Sequence, residues 1–84
     1  MGDVLSIIRV MPTGTDVDLK KLAAEIQKFK PHSMKEVPLA FGIKYLEVNF
    51  VRPDKEGGTD ALEDEMRKLS GVESVEVTGV TLIN

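Results

Sequence analysis

The 84-residue sequence predicts an α+β domain of the ferredoxin-like type: βαββαβ, a four-stranded antiparallel sheet with two helices on one face. Three observations carry that expectation. Hydrophobic residues alternate in some stretches, as strands with one covered face require, and recur at three- and four-residue spacing in two others, as amphipathic helices require. The stretches follow the order strand, helix, strand, strand, helix, strand, which two right-handed crossovers convert into one sheet. No cysteine is present, so neither a disulfide framework nor a thiolate metal site can stand in for a packed core, and residues 1–84 read as a single domain.

The first strand is Val4-Leu5-Ser6-Ile7-Ile8-Arg9-Val10-Met11, rich in β-branched residues and stopped by the turn cluster Pro12-Thr13-Gly14. Its even positions, Val4, Ser6, Ile8 and Val10, suit the covered face, and Arg9 marks the other face as open to solvent or a partner. Leu19, Leu22, Ala23, Ile26 and Phe29 form one stripe of a helix whose opposite side carries Lys20, Lys21, Gln27 and Lys28. Asp16 or Asp18 caps its start, and Pro31 ends it.

Period two returns from Met34 to Val51 with a break at Phe41-Gly42. Pro38 has no N–H to give a central ladder, so the strand containing Val37, Leu39 and Phe41 belongs at a sheet edge. In Ile43 to Arg52, Leu46, Val48 and Phe50 form the apolar face and Tyr45, Glu47 and Asn49 a mixed one; a tight connection through Gly42 makes the pair a hairpin. Pro53 to Gly58 reads as a loop, and Thr59 caps a second helix with Leu62, Met66 and Leu69 on its buried side. Asp60, Glu63 and Asp64 favour the positive end of that helix, Glu63 is spaced to pair with Arg67 and Asp64 with Lys68, and Gly71 is placed to close it. In the last strand, Val72 to Ile83, Val75 and Val77 share a face, and Gly79 permits a bulge that re-aims Val80 and Leu82.

Composition narrows function. With 11 Lys and Arg against 14 Asp and Glu the formal net charge is −3, which disfavours a general nucleic-acid binder, because phosphate affinity grows with cationic contacts. Residues 1–42 carry 6 basic and 5 acidic groups and residues 43–84 carry 5 and 9, so the acidic excess gathers around the second helix. There is no run of 18 apolar residues, and Met1-Gly2-Asp3 is acidic where a secretory signal is basic; the expectation is a soluble cytoplasmic protein without a membrane partner. A chain this short leaves little room for an enclosed catalytic cavity.

Few residues carry chemistry. His32, the only histidine, lacks an identifiable orienting carboxylate or nucleophile and reads as an exposed loop residue. The second helix's carboxylates lack the loop of a calcium site, and capping and ion pairing account for them. Gly57-Gly58-Thr59 is not a P-loop: no Gly-Lys-Ser/Thr follows a strand, and the acidic residues that follow repel phosphate. Pro12-Thr13-Gly14-Thr15-Asp16 offers no cation for an acylphosphatase-like phosphate cradle. Phe41-Gly42-Ile43-Lys44-Tyr45 stands out: Phe41 reads either as a hydrophobic plug of the hairpin or as part of a protein-binding tip. Tyr45, on the uncovered face, could stack a base, although the basic-glycine-aromatic motif of RNA-recognition domains is absent. A nucleic-acid-binding module and a small-ligand sensor are therefore the alternatives of a different class.

The run Pro38-Leu39-Ala40-Phe41-Gly42-Ile43-Lys44-Tyr45-Leu46, then Gly58-Thr59-Asp60-Ala61-Leu62-Glu63, then Val75-Glu76-Val77, resembles the guanine-nucleotide exchange domain of translation elongation factor 1-beta. The opening Met1-Gly2-Asp3-Val4 to Val10-Met11-Pro12 and the length resemble its archaeal form. The resemblance implies a cytoplasmic exchange factor, with no covalent chemistry or cofactor of its own, that binds the GTPase elongation factor 1-alpha and accelerates GDP release so that GTP can enter. It implies no direct nucleic-acid partner.

By position, Phe41 matches the family's hairpin phenylalanine, implicated in seating against the GTPase. The partner-binding residues expected on this basis are Phe41, Gly42, Lys44 and Tyr45, with Val80 and Leu82 near the C-terminus. Eukaryotic members have a lysine there that reaches the magnesium site; Leu82 stands at the apparent match and supplies no charge. Either displacement is steric, through Val80 and Leu82, or another group performs it.

Overall fold

The computed structural model describes residues 2–53 and 60–83. Along the chain come β1 (Asp3–Pro12), α1 (Leu19–Ile26) with a 3₁₀ turn (Gln27–Phe29), β2 (Ser33–Pro38), a second 3₁₀ turn (Ala40–Gly42), β3 (Lys44–Pro53), α2 (Asp60–Arg67) and β4 (Val72–Leu82). All pairings are antiparallel, in the order β2-β3-β1-β4. This is the expected ferredoxin-like arrangement, with Pro38 on an edge strand. The expected loop beyond Pro53, the Thr59 cap and the Gly57-Gly58-Thr59 segment lie outside the described residues.

Alternation sets the faces of the sheet. Val10 lies opposite Leu46 and Val75, and Ile8 opposite Val48 and Val77, so the even residues of β1 build apolar rows across three strands. Onto these rows pack Leu22 and Ile26 from α1 and Met66 from α2; together with Ile8, Val10, Leu46, Val48, Phe50 and Val75 they form the buried core. Leu19, Ala23, Phe29, Leu62 and Leu69 pack partly buried around it. Asp18, and not Asp16, caps α1: its Oδ1 accepts from the backbone N–H groups of Lys20 at 3.0 Å and Lys21 at 3.3 Å. The helix ends through the 3₁₀ turn, where Lys30 turns left-handed (φ 58°, ψ 57°).

Two local details differ from the sequence expectation. Glu63 does pair with Arg67 at 3.5 Å, but Asp64 also turns to Arg67 at 2.9 Å, while Lys68 pairs with Glu65 at 3.5 Å. Partners three and four residues away are both neighbours on a helix surface, so spacing alone does not choose between them. Leu39 and Phe41 do not extend β2: the strand ends at Pro38 and the chain enters the 3₁₀ turn.

The bulge in β4 lies where Gly79 suggested. Val77 pairs with Ile8 and Gly79 with Ile7, leaving Thr78 as the extra residue. Val80 then faces Ser6 and Leu82 faces Val4, which puts both on the helix side of the sheet. An unbroken ladder would put Val80 opposite Leu5, on the other face.

Candidate functional site

Physical chemistry disfavours an exposed aromatic ring on a strained backbone, and the β2–β3 turn has both. Phe41 is 95% exposed and has φ 62° and ψ 29°, a left-handed conformation that is a genuine outlier for a bulky residue. Gly42 follows with φ 76°. Two backbone bonds close the turn, Leu39 N–H donating to the Ile43 carbonyl at 2.6 Å and Ile43 N–H to the Ala40 carbonyl at 3.3 Å. Phe41 therefore does not plug the hairpin; the turn projects it into solvent. Such strain concentrates where a surface must be presented to a ligand or partner.

At the base of the tip, Lys44 Nζ lies 3.9 Å from Glu36 Oε1, an exposed pair across the hairpin. The register makes them neighbours, with Glu36 opposite Leu46 and Pro38 opposite Lys44, and puts both side chains on the helix side of the sheet. Beside the tip is an open cleft of about 340 Å³ between the hairpin and the start of α1, lined among others by Thr15, Asp18, Lys20, Glu36, Gly42 and Lys44. A larger groove of about 480 Å³ lies between α1 and the turn after α2 and includes none of the candidate residues.

Tyr45 sits one residue further on the uncovered face, half-buried and engaged within the sheet. The Arg9 guanidinium carbon is 5.4 Å from the centre of its ring. Arg9 in turn donates from Nη2 to Glu76 Oε1 at 2.6 Å, and that hydrogen bond and charge raise the guanidinium pKa above its ordinary value. A row of alternating charge crosses the whole sheet here: Lys35 lies 4.0 Å from Glu47, Glu47 is registered opposite Arg9, and Arg9 bonds Glu76. His32 is exposed, and its backbone N–H donates to the Asn49 carbonyl at 2.7 Å.

Val80 and Leu82, 64% and 65% exposed, lie at the other end of the sheet. Leu82 and Arg52 both pair with Val4, whereas Lys44 begins β3, so eight residue steps at about 3.3 Å separate Lys44 from Leu82 by roughly 26 Å along the strands. The structure thus places Phe41, Gly42, Lys44 and Tyr45 at one end, with Lys44 on the helix side of the sheet and Tyr45 on the uncovered face, and Val80 and Leu82 at the other end on the helix side, along a molecule 42 Å in its longest dimension. Ile83, 48% exposed, follows Leu82 beyond the end of β4, and its backbone N–H donates to the Asp3 carbonyl at 3.0 Å. Among the described residues there is no group of three or more His, Cys, Asp or Glu side chains able to hold a metal, and no helix long and apolar enough to cross a membrane.

The model of the EF-1 guanine nucleotide exchange domain matches residues 5–83. The chain belongs to that family. Relatives include Elongation factor 1-beta of Methanothermobacter thermautotrophicus, 46% identical across 95% of this chain and 96% of its own length. Elongation factor 1-beta of Methanobrevibacter smithii is 43% identical across 93% of both chains, and that of Metallosphaera sedula 41% across 96% of both. The match to the exchange domain takes in both ends of the sheet, from the Phe41 tip to Val80 and Leu82.

Proposed function

We propose that this chain promotes exchange of GDP for GTP on elongation factor 1-alpha during protein synthesis in the cytoplasm, acting by binding alone. The match of residues 5–83 to a nucleotide exchange domain carries this reading. Phe41 is the anchor: an exposed aromatic that becomes buried in a partner's pocket contributes binding energy out of proportion to its area. Lys44 and Tyr45 follow it at the start of β3, one on each face of the sheet, with Gly42 turning the chain between Phe41 and the strand, and Val80 and Leu82 form a second, apolar contact. Contacts at the two ends of the sheet, with Lys44 and Leu82 roughly 26 Å apart along the strands, suit a partner that must be held in one orientation.

Exchange needs no bond to be made or broken. A protein that prefers the GTPase conformation in which phosphate and Mg²⁺ contacts are disturbed weakens GDP by a factor that GDP must return in weakening the protein. That ion and the P-loop neutralise most of the phosphate charge, so disturbing them is an efficient way to loosen the nucleotide. Leu82 carries no charge; here the disturbance is steric, by Val80 and Leu82 pressing on the partner. Nucleic-acid binding through Tyr45 is disfavoured, because Arg9 already covers its ring and the charge row presents each cation beside an anion.

Reciprocity is the test. Calorimetry should show the protein binding nucleotide-free elongation factor 1-alpha more tightly than the GDP-bound form, by the factor by which it weakens GDP. Equal affinity for both forms would refute the proposal.

A further inference from the structure

We infer that Gly42 is a positioning residue: its left-handed backbone, and not a contact of its own, lets the tip hold Phe41 out toward the GTPase. This rests on the exchange-factor reading. At φ +76° an L side chain is strained whatever the space around it, yet a Cβ built on Gly42 meets nothing within 4 Å. Packing inside the chain therefore does not demand a glycine here; backbone conformation does. Gly71 is the contrast, for there φ is +88° and a Cβ also comes within 3.1 Å of Val17 Cγ1.

The demand arises from Phe41. It is itself left-handed at φ 62°, so the turn needs two left-handed residues in succession, and only one of them carries a side chain. The bonds Leu39 to Ile43 and Ile43 to Ala40 close the turn, and between them the chain passes through Phe41 and Gly42, both left-handed, to reach β3. An L-residue at 42 relieves its own strain by moving the chain that carries Phe41. A partner that needs the native tip then finds it in a fraction of molecules, and apparent affinity falls by that fraction.

Chirality provides the test, because a D-residue adopts positive φ without strain. The chain is made by total chemical synthesis with glycine, Gly42→Ala or Gly42→D-Ala, and each product is checked by thermal unfolding. GDP release from elongation factor 1-alpha is followed against concentration, and NMR Cα shifts and NOEs of Phe41 report the left-handed population without the partner. Gly42→Ala should raise the half-maximal concentration about tenfold, the factor that the strain of one left-handed L-residue corresponds to, with the maximal rate kept. Gly42→D-Ala should recover most of that loss and the Phe41 signature with it.

Equal loss in both epimers would overturn the inference, since it would mean that the partner approaches a bare Cα. So would a Gly42→Ala protein with an unaltered half-maximal concentration, or one that lost maximal rate alone. Failure of the glycine protein itself to accelerate release would overturn the exchange-factor reading and the inference with it, and is visible before any variant is compared.

Discussion

Replacing Phe41 with asparagine separates what the residue does for the fold from what it does for a partner. Phe41 is 95% exposed, so about 10 Å² of a residue surface of about 200 Å² is buried, worth roughly 0.25 kcal/mol at about 25 cal/mol per Å². Against that loss stands the left-handed backbone at φ 62°, which disfavours an L-residue by about 1 kcal/mol and which asparagine tolerates far better. The balance, about 0.7 kcal/mol in favour of Phe41→Asn, raises Tm by roughly 3–5 °C in a domain of this size. Loss of a buried aromatic anchor costs about 2 kcal/mol of binding, so the concentration for half-maximal GDP release should rise roughly thirtyfold. Thermal unfolding by circular dichroism and fluorescent-GDP release measure the two effects. A lowered Tm, or a stabilised protein with undiminished affinity for the GTPase, would refute the reasoning.

Other residues should respond in one assay and not the other. Ile8→Ala empties a fully buried position between Val48 and Val77 and should lower urea-unfolding stability by about 2–5 kcal/mol. Gly71→Ala forces a side chain into positive φ within 3.1 Å of Val17 and should cost at least about 1 kcal/mol by the same measurement. Leu82→Ala should leave stability within about 0.5 kcal/mol, because its side chain is 65% exposed, while slowing maximal GDP release several-fold in stopped flow.

Alternation in β1 and β3 and the helical stripe of α1 made the sheet, its covered face and most of the core readable, because burial imposes those periods directly on side-chain polarity. The β4 bulge was readable too, since glycine is the residue that a re-aimed strand tolerates best. The tip was not. Period two ran on through Leu39 and Phe41, and no propensity scale assigns phenylalanine to a left-handed turn; only the backbone shows that Phe41 leaves the strand and that its ring is free. The separation of Phe41 from Leu82 was also hidden, because it depends on the register: the start of β3, which follows Phe41, lies toward the Val10 end of β1, and Leu82 pairs at the Val4 end. The place of Tyr45 on the uncovered face left base stacking open as an alternative, and Arg9, brought over its ring from the neighbouring strand, disfavours it.

The central claim is that this chain loosens GDP on elongation factor 1-alpha by binding it. The most direct measurement is stopped-flow release of fluorescent GDP from the GTPase at increasing concentrations of the protein, with excess unlabelled GTP present. The account predicts a release rate that climbs hyperbolically to a plateau well above the spontaneous rate. A rate that stays at the spontaneous value throughout the micromolar range would contradict it.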